Sequence, residues 1–212
     1  MEKHLNMKFE ITESPNSYLK IDFEKNEKII VEKGCLMYSN GEYIFENKIE
    51  GGFKNLIAKV FGGKSLTFNV YTAKEAMEMA FSAKDTAEIF CIEIVNNNSI
   101  LFNASYHFAR SFNLDIVPGG MNEEFYVKTK GVGKLFLKGY GQIIEKDINT
   151  SKPIYIDEDS VIAYEEKLDA EWITGGMKKL LTSGDGELFM IKGQGKIWIQ
   201  SKTKIEYKKD KF

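Results

Sequence analysis

The feature that most constrains this chain is a period of two. "YLKIDFE" places Leu19, Ile21 and Phe23 on one face. "KIWIQ" places Ile197 and Ile199 on one face and Trp198 and Gln200 on the other. "LFLKGYG" and "PIYIDED" read the same way. Successive side chains of a strand point to opposite faces, so such alternation specifies half-buried strands. The runs are short and punctuated by 18 glycines, against only three prolines. The expectation is an all-β protein, a β-sandwich or β-roll.

The runs also recur in order. "FEKNEKIIVEKGCLMYSNGEYIFENKIEGG" ends at Gly51-Gly52, "IVNNNSILFNASYHFARSFNLDIVPGG" at Gly119-Gly120, and "INTSKPIYIDEDSVIAYEEKLDAEWITGG" at Gly175-Gly176. Each has a strand, a polar turn, a second strand and a Gly pair. A further half follows each. Lys130-Gly131-Val132-Gly133-Lys134 of the second copy overlies Lys192-Gly193-Gln194-Gly195-Lys196 of the third. The first copy, "LTFNVYTAKEAMEMAFS", keeps the alternation without the glycines. An internal repeat, about threefold, is expected over 18–83, 88–145 and 146–205. A unit of about 60 residues is marginal alone. The three are therefore expected to share one compact body over 1–212.

One or two short helices are expected among the strands. "GGFKNLIAKVFGG" carries Phe53, Leu56, Ile57, Val60 and Phe61 at helical spacing, with Gly62-Gly63 at its end. "GGMKKLLTSG" is a shorter echo after the third Gly pair.

"GQGKIWIQS", Gly193 to Ser201, invites a phosphate-loop reading and fails it. A Walker loop ends Gly-Lys-Ser/Thr and opens a helix. Here Ile197 follows Lys196 and a strand pattern follows that. Gly131, Gly133, Gly193 and Gly195 are read as bends that admit positive φ, either hairpin loops or bulges in long strands. Trp198 and Gln200 are candidates for a binding surface if they line an open groove, and architecture if they pack on another repeat.

Catalytic and metal constellations are scarce. With only His4 and His107, a three-histidine metal site is excluded within one chain. His107 alternates with Tyr106 and Phe108 and is expected at the surface or half-buried. Ser105 and His107 share a face without the carboxylate a triad needs. Asp157-Glu158-Asp159 and the "GDGE" at Gly184 to Glu187 read as turns. No catalytic residue, metal ligand or cofactor is assigned. Tyr164, Glu165 and Glu166 are the first candidates for acid–base chemistry if the chain is an enzyme with a carboxylate/Tyr pocket.

The charges nearly balance, 29 basic against 31 acidic, and Arg110 is the only arginine. Polyanion recognition leans on the guanidinium fork, so nucleic acid is disfavoured as a partner. Cys35 and Cys91 lie in apolar runs and are expected to be reduced, buried thiols. The opening "MEKHLNMKFEITESPNS" has no apolar core of a secretory leader, and no run is long enough to span a membrane. The expected location is cytoplasmic. The terminal "KTKIEYKKDKF" is expected as a solvated tail or lysine-guarded edge strand. Sheet edges left at repeat ends favour a homo-oligomer.

"GQGKIWIQS", the parallel "GVGKLFLKGYG", "SVIAYEE" and "VFGGKSLTFNVYTA" together resemble the altered-inheritance-of-mitochondria protein 24 family, which has many bacterial and archaeal members. Where the family typically reads Gly-Gly-Glu-Ser before an apolar strand, this chain has Lys64 in place of the acidic residue. The resemblance implies a repeated, shortened double-stranded β-helix, similar in topology to the tryptophan-attenuation RNA-binding protein subunit. It implies no catalytic residues. Eukaryotic members of the family are mitochondrial and linked to organelle organisation. The leading expectation is a non-enzymatic assembly or binding module. The pocket enzyme above and, by fold analogy, a single-stranded RNA or DNA binder are the alternatives.

Overall fold

Alternating apolar positions become strands almost throughout the computed structural model, which describes residues 7–48, 68–96, 98–119, 126–173 and 188–203. In chain order the strands are β1 Lys8–Ile11, β2 Tyr18–Phe23, β3 Lys28–Glu32, β4 Leu36–Ser39, β5 Tyr43–Lys48, β6 Phe68–Ala73, β7 Met77–Ser82 and β8 Glu88–Ile94. They continue with β9 Ile100–Asn103, β10 His107–Ser111, β11 Asp115–Pro118, β12 Tyr126–Lys130, β13 Gly133–Asp157, β14 Val161–Glu165, β15 Asp169–Ile173 and β16 Leu188–Lys202. The protein is all-β. Helical structure among the described residues is limited to two 3₁₀ turns, Ala104–Tyr106 and Glu158–Ser160. The Asn103 and Asp157 side chains cap them by accepting the N–H groups of Ser105 and Asp159. The acidic trio at 157–159 is thus a turn, as its composition predicts. The expected helices at 53–61 and 177–182 lie outside the described residues.

The strands form a four-stranded sheet, β1-β2-β7-β4, and a twelve-stranded one. The main path of the latter is β11-β12-β9-β14-β16-β13-β10-β3-β6-β5, with β15 added to β16 and β8 to β13. All pairings are antiparallel. β13 is the spine. Its first part, Gly133–Gly139, pairs with β8, while Tyr140–Asp157 runs against β16. The first part is buried on both faces, so "LFLKGYG" is not one-sided as its alternation predicts. Beyond Gly141 the exposed positions return.

Several pairings have matching geometry. β4 pairs with β7, β10 with β13 and β14 with β16, each with a bulge after its first paired residue: Leu36/Tyr38, His107/Ala109 and Val161/Ala163. Tight turns follow, and β5, β11 and β15 pair with β6, β12 and the start of β16. Two further pairings join distant segments: β3 with β10, and β9 with β14.

The core falls into three main clusters. The first holds Leu19, Ile21 and Phe23 of β2 against Met79, Phe81, Phe108 and Phe136. The second gathers Ile92, Ile94, Phe102, Leu135, Leu137, Ile162 and Trp198. The third gathers Ile148, Tyr164, Phe189, Ile191 and Ile197. β16 separates the last two, with Ile197 on one side and Trp198 on the other. The alternation in "KIWIQ" therefore describes a strand buried on both faces.

Candidate functional site

The glycine bends come first because they organise the polar interior. Gly193 sits at φ +108, a conformation that side chains rarely adopt. Gly195 does not have positive φ, contrary to the expectation for it; it is glycine because of a close approach. A Cβ there would lie 2.7 Å from Glu165 Oε2 and 3.0 Å from Leu168 Cγ. Both residues stay inside β16, opposite Thr150 and Ile148 of β13. They mark where the neighbour of β16 changes from β15 to β14. Gly131, at φ +106, instead lies between β12 and β13, and Gly133, at φ +150, opens β13. The first segment makes the same transition from β6 to β7 through Lys74–Ala76 without glycine. Of the Gly-pair residues, Gly119 is described and packs close to Lys128. Gly51, Gly52, Gly120, Gly175 and Gly176 lie outside the described residues.

The bend does hold an anion, and that anion is the protein's own. The Lys196 backbone N–H donates to Glu165 Oε2 at 2.9 Å. Asn98 Nδ2 donates to Glu165 Oε1 at 2.6 Å, and the Lys167 ammonium lies 3.0 Å from the carboxylate. Glu165 is buried. Its neighbours in sequence go elsewhere. Tyr164 packs its ring on Phe189 and Tyr126, and burial pushes its phenol up to about 12. Glu166 faces Lys128 at 2.7 Å on the surface, which lowers its pKa. The three candidate acid–base groups do not converge on one point. Nothing in their sequence spacing reveals this, because the partners of Glu165 are 67 and 31 residues away.

Trp198 and Gln200 are both interior, 5% and 3% exposed. Trp198 packs in the second cluster with residues of β8, β9 and β13, and its indole N–H donates to Glu145 at 3.1 Å. Gln200 fastens three segments. Its Oε1 accepts the Tyr140 N–H, while its Nε2 donates to the Tyr106 hydroxyl and to the Asp159 carbonyl. From Tyr140 the network continues outward. The Tyr140 hydroxyl donates to Asp85 at 2.7 Å, and Lys138 reaches Glu32 at 2.8 Å. Burial, then the Asp85 hydrogen bond, raises the Tyr140 pKa. Asp85 and Tyr140 border an open cleft of about 880 Å³ shared with Ser14–Ser17, Glu88 and Gln142. Glu88 itself accepts the Asn16 and Ser17 N–H groups.

A second polar pair lies in the seam between β10 and β3. Arg110 is fully buried; its Nε donates to the Leu114 carbonyl and its guanidinium lies over the Phe68 ring. His107 is buried too, correcting the expectation of a surface or half-buried residue. Alternation with Tyr106 and Phe108 does not hold here, because Tyr106 closes the 3₁₀ turn and a bulge follows His107, and the ring is covered by Phe68 and Phe102. An arginine can only donate, so at the 3.3 Å contact with Arg110 the His107 Nε2 accepts and Nδ1 carries the proton. Burial, then the charges of Arg110 and Lys138, hold His107 neutral with a pKa well below the imidazole range. The two cysteines are free thiols, Cys35 buried as expected and Cys91 only half-buried, contrary to the expectation for it; desolvation pushes each up to about 12. No cluster of three or more metal-ligating side chains occurs among the described residues.

These features define an antiparallel all-β protein whose polar interior ties distant strand segments together. The family model described as mitochondrial biogenesis AIM24 matches residues 9–202, and the chain belongs to that family. The chain is similar to an uncharacterised protein of Streptococcus pyogenes serotype M6, at 23% identity over 92% of this chain and 86% of that protein. A Streptococcus pyogenes protein solved by X-ray crystallography in a structural genomics programme has the same fold, with a TM-score of 0.73 at 19% identity. That alignment covers 93% of this chain and 94% of the other.

Proposed function

We propose that this protein is a non-enzymatic assembly module: one body over 1–212 built from three strand repeats of the shortened double-stranded β-helix type, and self-associating. The repeats read from the sequence run 18–83, 88–145 and 146–205; strand pairing puts the last boundary between Gly139 and Tyr140. Six strand segments in each support the reading. β2 to β7 form the first set, β8 to the start of β13 the second, and the rest of β13 to β16 the third. In each set the first and third segments flank the sixth, and the second and fourth flank the fifth. The bulge in the third segment recurs at the same place.

The observation that carries the functional reading is how one set meets the next. The second segment of one set pairs with the third segment of the following set, β3 with β10 and β9 with β14. The chain is thus extended by adding strands to edges, the operation by which β modules also recruit partners. Against enzyme chemistry, Glu165 is committed to the Gly195 bend and Tyr164 to an aromatic cluster. Against polyanion binding, the single arginine is interior.

Sedimentation velocity of the purified chain over the micromolar range tests this. The expected result is a species larger than the 24.2 kDa chain, dissociating on dilution. A chain that stays monomeric at every concentration refutes the assembly reading.

A further inference from the structure

The pairing between successive sets leaves two edges over. Within the chain, the second segment of set one meets the third of set two, and the second of set two meets the third of set three. The third segment of set one, β4, and the second segment of set three, Ile154–Asp157 of β13, have no such partner among the described residues. Among the described residues β4 is paired on one side only, to β7. Ile154–Asp157 is paired on one side only, to Leu188–Ile191 of β16.

The exposure of equivalent positions follows this difference. The bulges align Leu36 with His107 and Val161, and hence Met37 with Phe108 and Ile162, Tyr38 with Ala109 and Ala163, Ser39 with Arg110 and Tyr164, and Asn40 with Ser111 and Glu165. Phe108, Ala109, Ile162 and Ala163 are all 0% exposed, whereas Met37 is 51% and Tyr38 41% exposed. On the other strand, the four-residue step into the third segment aligns Tyr155 with Ile30 and Leu101. Those are 0% and 6% exposed, whereas Tyr155 is 38% exposed. The two edges carry apolar residues where their internal counterparts are covered.

We propose, on the assembly reading above, that these edges pair with each other between two copies of this chain, head to tail. The internal joints fix the register. Ile29 faces Ser111 and Val31 faces Ala109; Ile100 faces Glu165 and Phe102 faces Ala163. The same alignment puts Ile154 opposite Asn40, Tyr155 opposite Ser39 and Ile156 opposite Tyr38 of the second copy, antiparallel. Pro153, which has no N–H to give to a ladder, lies just before the paired triplet and disfavours a slip in that direction. Such a contact joins unlike surfaces, so it closes into a ring or runs on as a filament.

The test uses the full chain with a charge pair placed at the central position. Tyr155→Lys combined with Ser39→Lys sets like charges opposite each other across the joint; Tyr155→Lys combined with Ser39→Glu sets opposite charges there. Cross-strand charge pairs differ by up to about 1 kcal/mol, about fivefold in association. The expected result is a loss of assembly approaching that size, by sedimentation, for the Lys/Lys protein relative to the Lys/Glu protein. Separately purified Ser39→Cys and Tyr155→Cys chains, each also Cys35→Ser and Cys91→Ser, should cross-link to each other through a short bismaleimide. An Ile44→Cys chain mixed with Tyr155→Cys should not. If the two double variants assemble equally and the Ser39 and Tyr155 cysteines do not cross-link, this joint is wrong while the assembly reading stands. If the unmodified chain is monomeric, both fall.

Discussion

Glu165 and Gly195 form a pair whose coupling can be measured. Glu165→Ala leaves the Lys196 N–H and the Asn98 amide, both half-buried, without their acceptor. An unsatisfied buried donor costs about 1–3 kcal/mol, about 2–6 kcal/mol for two; water reaches these half-buried donors in part, so the lower end, about 2–4 kcal/mol, is expected. The Lys167 contact adds little, because that ammonium is half exposed. Gly195→Ala introduces a methyl 2.7 Å from Glu165 Oε2 and 3.0 Å from Leu168 Cγ. Overpacking of this kind costs about 1–3 kcal/mol. With the carboxylate removed, the nearest obstacle goes and the methyl meets only Leu168 and Lys167. The double variant should therefore be more stable than the two single losses predict, by about 1 kcal/mol or more. Urea denaturation of the four proteins, followed by tryptophan fluorescence, reads this directly. Effects that add to within about 0.5 kcal/mol would falsify the claim that Gly195 is glycine because Glu165 occupies its side-chain space.

Three further outcomes follow from the same geometry. Gly193→Ala should cost about 1–2 kcal/mol, because φ is +108 there although the nearest atom to a new Cβ is 3.6 Å away; unlike Gly195→Ala, this loss should be unchanged in the Glu165→Ala background. His107 is neutral when folded and takes a proton when unfolded below about pH 6.5. The unfolded state then binds more protons, so stability falls as pH drops from there toward the lower folded value, by up to about 1.4 kcal/mol per pH unit. His107→Gln should remove that part of the slope in denaturation midpoints between mildly acidic and neutral pH; parallel curves for the two proteins would show that His107 is not the group. Cys35 and Cys91, raised to about 12 by burial, should alkylate slowly with iodoacetamide in the native protein and rapidly in urea. Rapid native labelling of Cys35 would contradict its burial.

Much of the fold was legible because alternation is local. Leu19, Ile21 and Phe23 declare one buried face; "KIWIQ" declares Ile197 and Ile199 on one face but leaves open whether Trp198 and Gln200 on the other are covered. That the glycine strings fail as phosphate loops was legible for the same reason, since it depends only on the strand that follows. What stayed hidden is non-local. Glu165 looks like one of several acidic residues in "SVIAYEE" until folding brings Asn98 and Lys196 to it. Gly195 looks like Gly193, yet one is set by its own φ and the other by a side chain 30 residues earlier. His107 and Arg110 look like surface residues because polar types usually are. Phe68 of β6 and Phe102 of β9 cover these side chains, and no spacing within "SYHFARS" encodes those partners.

On the repeat reading proposed above, the same contrast accounts for why the three strand sets differ in sequence where they pair alike. A third segment that is covered on both edges can carry small or wholly apolar residues, and Ala109 and Ala163 do so. Where the edge is uncovered, the equivalent residue is Tyr38, whose hydroxyl donates to Glu78 at 2.7 Å. That bond suits a position that spends part of its time in water and part under a neighbouring strand: an aromatic face to bury and a polar tip already satisfied. Tyr155 at the opposite edge is the same residue type. Replacing Tyr38 with Ala, the residue used at both internal joints, should leave the fold intact while weakening association. Replacing Ala109 with Tyr should instead disrupt the fold, because that site has no open side. A chain that tolerated both changes equally would show that the two edges are not equivalent to the internal joints.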